Sequence, residues 1–288
     1  MTSRTSISLS ALVLACGSTP QEKIATDSSS LLPGMVNVDV TSAQATNGVL
    51  LGEAGYLRRV NFMSSYSIDI TEVTVSAYKA CVRSEMCTEP ATDENCTWGI
   101  VGQENYPVNC VTWQQARTYC DYRGKWLPSE HEWEYAARFE DPSVHKYPWG
   151  MSSANYNTKL NMAVLTDGYQ FTAPVGSYSP TGDSALGLQD MAGNVWEWTS
   201  STLCTDTNDE CLNCNADSLL DGGWCPGVDF PCQTCGNPQT DPLLNVVFKG
   251  GGYNQGMAYS RSAFHYYGDQ TYYSPVIGFR CASFPEEE

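Results

Sequence analysis

Three sets of side chains in this sequence could do chemistry. Cys211-Leu-Asn-Cys214 and Cys232-Gln-Thr-Cys235 are two Cys-x-x-Cys pairs with 17 residues between them, a spacing at which paired thiolates can hold zinc. Cys204 and Cys225 share that stretch, so the same six thiols could instead close three disulfides, and the redox compartment decides between the two. The second set is Asp190 and Glu197 around Gly193-Asn194. Hard cations such as calcium take carboxylate and carbonyl oxygens, and a tightly turned Gly-Asn segment offers both; the plainer reading makes these carboxylates partners of backbone amides. The third set is a run rich in Tyr, Asn and Asp that holds Tyr253, Asn254, Tyr259, Arg261, His265, Tyr266 and Tyr267. Such a mixture gives contact area at low entropic cost, as in a binding surface, unless the rings form a core-facing stripe. Of the three histidines, His131 reads as a helix-surface residue and His145 as part of a polar loop.

The compartment is legible at the N-terminus. One Arg, an apolar stretch from about Ile7 to Ala15, and then Cys16 describe a signal peptide, too short to span a bilayer as a helix. Leu12-Val-Leu-Ala-Cys16 is similar to the bacterial lipobox, which makes Cys16 the lipidation site and residues 17–34, rich in Ser, Thr and Pro, a tether. That places the protein in a bacterial cell envelope, extracytoplasmic and lipid-anchored, with the outer membrane as the expected address. Of 13 cysteines, Cys16 is then the odd one, and twelve remain to pair in an oxidising compartment. Export therefore favours disulfides over zinc in the 200–247 insertion. A net charge of −17 with no basic run excludes nucleic acid as a partner and leaves the lipid as the only contact with a membrane.

The elements that position these groups lie mostly in the first half. Alternating apolar residues predict short strands near Val36–Val40, Val49–Leu51, Tyr56–Val60 and Tyr66–Ile70. Thr74 caps a predicted helix from Val75 to about Ser84. Thr112 caps another from Trp113 to Arg123, stopped by Gly124, and Ser129 with Glu132 makes a capping box for a third that runs to Arg138. Beyond residue 140 the helical period vanishes and Gly, Pro, Asn and aromatics dominate. That half must be loops and short strands that need staples. A single domain over 35–288 follows.

Several segments, in order, carry a family pattern. They are Tyr106-Pro-Val-Asn-Cys-Val-Thr-Trp113, Gly124-Lys-Trp-Leu-Pro-Ser-Glu-His-Glu-Trp133, Tyr147-Pro-Trp-Gly150, Thr172-Ala-Pro-Val-Gly176, Gly187-Leu-Gln-Asp-Met-Ala-Gly-Asn-Val-Trp-Glu-Trp198, Lys249-Gly-Gly-Gly252 and Gly278-Phe-Arg-Cys281. Together they resemble the sulfatase-modifying-factor family, the formylglycine-generating enzymes and their bacterial relatives, over roughly residues 56 to 283. The resemblance implies an α+β fold of the irregular C-type-lectin-like kind. It also implies a Cys120–Cys281 disulfide, while a second family pair falls on Ala137 and His265 and is lost. Cys81–Cys87 and Cys96–Cys110 are local guesses among three connectivities.

What the resemblance implies for chemistry is mixed. The family's copper is held by two cysteines that fall, without gaps, on Gln255 and Ser260; neither suits Cu(I), which pairs with soft sulfur. Copper is therefore not expected. A relative that uses iron needs a His-x-x-x-His-x-Glu set, and this chain has none. Family calcium sites map to Asp190, Gly193, Val195 and Glu197, and to Asn155, Tyr156, Asp167 and Tyr169, so structural calcium is expected. The chain thus reads as an exported lipoprotein with a non-catalytic ligand-binding or accessory domain, taking a protein or glycan on its tyrosine-rich face. The alternative is an oxidoreductase with an altered metal site that acts on an exported protein or thiol metabolite, with Tyr259, Ser260, Arg261 and His265 in its cleft.

Overall fold

The computed structural model describes residues 34–41, 49–52, 58–62, 64–139, 145–163, 168–202 and 244–285. The signal peptide, Cys16, nearly all of the tether, Asp167 and residues 203–243 of the cysteine-rich insertion lie outside these residues. Strands β1 (Met35–Val38), β2 (Val49–Leu51), β3 (Arg58–Val60) and β4 (Tyr66–Asp69) come first. Helices α1 (Val75–Arg83), α2 (Trp113–Tyr122) and α3 (Glu130–Ala137) follow, then β5 (Trp196–Thr202), β6 (Asn245–Lys249), β7 (His265–Asp269), β8 (Ile277–Gly278) and β9 (Ala282–Ser283).

Each helix starts where its capping residue requires. Thr74 accepts the Ala77 amide, and Thr112 and Ser129 form full capping boxes with Gln115 and Glu132, which satisfies amides that the first turn leaves unpaired. Gly124, at φ +67°, follows α2 in the left-handed region, as expected of a helix stop. The predicted strands appear within one or two residues of their expected bounds.

Two sheets carry the fold. One has the order β1-β4-β9, the other β7-β6-β5-β8, and β2 pairs with β3 as a separate ribbon. The β5–β8 pairing is parallel and the others are antiparallel. A core of Tyr78, Trp113, Tyr119, Trp196, Trp198, Phe248 and Phe279 packs α1 and α2 against the larger sheet. Trp133 of α3 and Leu188 and Met191 of the loop before β5 pack with Val38, Tyr66 and Ile68 of the smaller sheet.

All three described disulfides agree with the expected pairs: Cys81–Cys87, Cys96–Cys110 and Cys120–Cys281. Such bridges fit an oxidising, extracytoplasmic setting. Among the described residues no helix is long and apolar enough to cross a membrane.

Candidate functional site

Arg280 sits at the junction of the elements, fully buried, with every donor used. Its Nε and one Nη donate to both oxygens of Glu197 at 2.7 and 2.8 Å, and the rest go to the carbonyls of Asp69, Ile70 and Gln189 at 2.8–3.0 Å. The Trp133 indole also donates to Glu197, at 2.7 Å. Glu197 therefore already accepts three hydrogen bonds, and its neighbours Glu72 and Asp190 are less well served. Asn194 Nδ2 donates to Glu72 Oε1 at 3.0 Å, whereas buried Oε2 meets no donor. Asp190 Oδ2 accepts the Gly176 amide at 2.5 Å.

The carboxyls of Glu72 and Asp190 face each other. Burial, followed by the negative charges of Asp190 and Glu197, pushes the Glu72 carboxyl well above the usual range. Burial likewise raises Asp190 to about 6, against the pull of the Gly176 amide and Arg280. Three acids thus share one guanidinium in a buried pocket, and the arrangement is short of positive charge.

The backbone here is wound for carbonyls. Asp190, Gly193 and Asn194 all have positive φ, at 56°, 79° and 58°, and a Cβ on Gly193 would lie 2.2 Å from the Asn161 carbonyl oxygen, so only glycine fits. Among the described residues the Gly193 carbonyl accepts no hydrogen bond. No group of three His, Cys, Asp or Glu side chains among the described residues converges as a ligand set. A hard cation here would thus have to combine carboxylates with backbone carbonyls. In the second set, Asn155 takes a left-handed conformation ahead of the short helical turn Tyr156–Thr158, and the ring of Tyr169 packs edge-on to Tyr178.

The tyrosine-rich run folds mostly as expected of a surface. Asn254, Tyr259, His265, Tyr266 and Tyr267 are exposed and Arg261 is partly so. Tyr253 is a correction: it is 8% exposed because its ring packs edge-on against Phe171 and its amide is tied to the Asn194 carbonyl. A cleft of about 300 Å³ opens across the larger sheet. Trp196 and Phe248 form its floor with Tyr266, and Gln255, Tyr267, Asp269 and Tyr272 complete its wall.

Ser260 and His265, named above for the oxidoreductase alternative, do not hydrogen-bond to each other and do not line this cleft. Ser260 is fully buried beneath Gly251, and its Oγ has no partner. His265 Nδ1 instead meets Glu130 Oε2 at 3.0 Å. Burial alone would raise the Glu130 carboxyl, but the His265 hydrogen bond, with the charges of His131, His265 and Lys249, holds it down at about 2. His131 is a further correction, buried rather than on the helix surface, because both flanks of α3 are covered. Sequence reasoning also missed Lys249, fully buried over the Trp133 ring and paired to Glu134 at 3.0 Å, with Arg138 on the other Glu134 oxygen at 2.7 Å.

Residues 18–284 match the profile of the sulfatase-modifying factor enzyme 1-like domain. The chain belongs to this family. It is 41% identical over 109 residues to the inactive C-alpha-formylglycine-generating enzyme 2 of Bos taurus, which covers 36% of this chain and 35% of that protein. It is 40% identical over 110 residues to the formylglycine-generating enzyme of Streptomyces coelicolor, covering 35% of each. The chain thus aligns with about a third of the length of these curated relatives. The solved structure of PvdO from Pseudomonas aeruginosa superposes with a TM-score of 0.65 at 22% identity, over 88% of this chain and 95% of PvdO. The family fold, irregular α+β of the C-type-lectin-like kind, is therefore the fold found here.

Proposed function

We propose that this family member is an exported, lipid-anchored protein of a bacterial cell envelope, and that its domain binds a ligand without turning it over. The observation that carries this reading is the pair Gln255 and Ser260 at the positions where the resemblance puts copper thiolates: one lines the cleft, and the other is buried against Gly251. An amide and a hydroxyl are poor partners for a soft cation. The cleft and its exposed tyrosines supply a contact surface instead, for a protein or glycan ligand. A relative whose name records it as inactive shares 41% identity over the matched segment, which suits the same reading.

Structural calcium at the 190–197 loop belongs to this proposal. An ion held by Asp190 with the Gly193 and Val195 carbonyls would supply the charge that the Glu72, Asp190 and Glu197 group lacks. Metal analysis of the exported, oxidised protein tests both parts. Calcium without stoichiometric copper or iron is the expected result, whereas either transition metal at one equivalent overturns the non-catalytic reading in favour of an oxidoreductase.

A further inference from the structure

The cleft across the larger sheet has a one-sided chemistry. Among the described residues its lining holds no Lys, Arg or His, and its one charged group is Asp269. Its rings, Trp196, Phe248, Tyr266, Tyr267 and Tyr272, present π faces and edges to whatever enters. The amide oxygen of Gln255, buried in the wall, has no hydrogen-bond donor. Asp269 stays ionised, because its carboxylate accepts the amide and hydroxyl of Thr271 across a tight turn. A wall that offers acceptors and π systems and no cation selects a ligand group that donates hydrogen bonds and carries positive charge. The rings would meanwhile cover an aliphatic stem.

The neighbouring backbone narrows the source. β7 contributes Tyr266, Tyr267, Gly268 and Asp269 to the cleft and, among the described residues, pairs only with β6. Among the described residues its other edge is unpaired, the arrangement to which an extended peptide adds as a strand. Gly268 keeps the rim tight, since a Cβ there would lie 3.1 Å from the Tyr272 ring.

We propose that the cleft takes the ammonium group of a lysine side chain from an extended segment of a partner protein, with Asp269 and Gln255 as its polar contacts and the tyrosines around its stem. The inference rests on the ligand-binding reading above and names the ligand's chemistry. An amino sugar carries the same charged group on a different frame, so the test separates the two.

The experiment titrates the full exported protein with Nα-acetyl-lysine methylamide, its Nε-acetyl derivative, glucosamine and N-acetylglucosamine, followed by saturation-transfer NMR. The lysine probe should bind saturably and about tenfold more tightly than its Nε-acetyl derivative, and Asp269→Asn should erase most of that difference. Gln255→Met should weaken the lysine probe with the melting temperature unchanged. Equal binding of the two lysine probes, no saturation by either, or preference for glucosamine over lysine overturns the inference. A ligand that binds the Tyr266 and Tyr267 face equally well in Asp269→Asn would also overturn it, yet would leave the binding-module reading standing. One equivalent of copper would remove that reading itself.

Discussion

Arg280 and Glu197 form a bidentate ion pair at 2.7 and 2.8 Å with neither side chain exposed. The pair joins the C-terminal Gly-Phe-Arg segment to the first residue pairs of β5, and the remaining Arg280 donors hold the carbonyls at the end of β4 and before β5. Removing one partner strands the other as a buried charge, which costs about 3–5 kcal/mol. Arg280→Met should lower the unfolding free energy by about that amount. Chemical denaturation with an unchanged m-value would measure it, and a loss near zero would show that the pair does not hold these elements together.

Much of this was legible in sequence, for physical reasons that differ by region. The three helices were readable because Thr74, Thr112, Ser129 and Gly124 are local signals that act within a turn of where they stand. β5 was not, since Trp196–Thr202 is buried at every position, and a strand covered on both faces has no alternation to read. Lys249 and Glu134 were missed for another reason. They are 115 residues apart, and a buried charge is expected only once its partner is known to lie beside it. The tyrosine run was ambiguous by composition alone. Its single buried member, Tyr253, differs from its neighbours through a contact with Phe171 that no spacing rule contains.

Glu72 is the member of the acidic group that no motif pointed to, and it should report on the proposed calcium. With an ion bound, thermal melting should rise on adding calcium and fall with chelator. Asp190→Ala should abolish the difference. In Glu72→Gln, whose uncharged amide relieves the crowding of negative charge, the chelated protein should be more stable than chelated wild type. A melting curve of the wild type that ignores both calcium and chelator would rule the ion out.

The Glu130–His265 pair sets an acid dependence. The folded Glu130 pKa, about 2, lies below its ordinary value, so its contribution to stability is fully present above about pH 4.5 and is lost as the pH falls toward 2. A shift of this size corresponds to about 3 kcal/mol. Glu130→Gln should therefore be markedly less stable than wild type at pH 6 and nearly equal to it at pH 2. Parallel melting curves across that window, with a constant gap, would contradict the pairing.

The three described disulfides should differ in worth because the loops they close differ in length. Cys120–Cys281 spans 161 residues and Cys81–Cys87 only 6. In the chain-entropy account, closing the longer loop removes about 5 kcal/mol of unfolded-state freedom and the shorter about 2. Cys120 joins α2 to the cysteine directly after Arg280, between β8 and β9, so the long bridge also holds the Arg280–Glu197 contact in register. Replacing Cys120 and Cys281 together by Ser should thus cost more than replacing Cys81 and Cys87, and should add less than additively to Arg280→Met. Equal losses for the two bridges would mean that the unfolded chain retains structure around residue 120. Strict additivity with Arg280→Met would mean that the bridge and the ion pair stabilise the C-terminal segment independently.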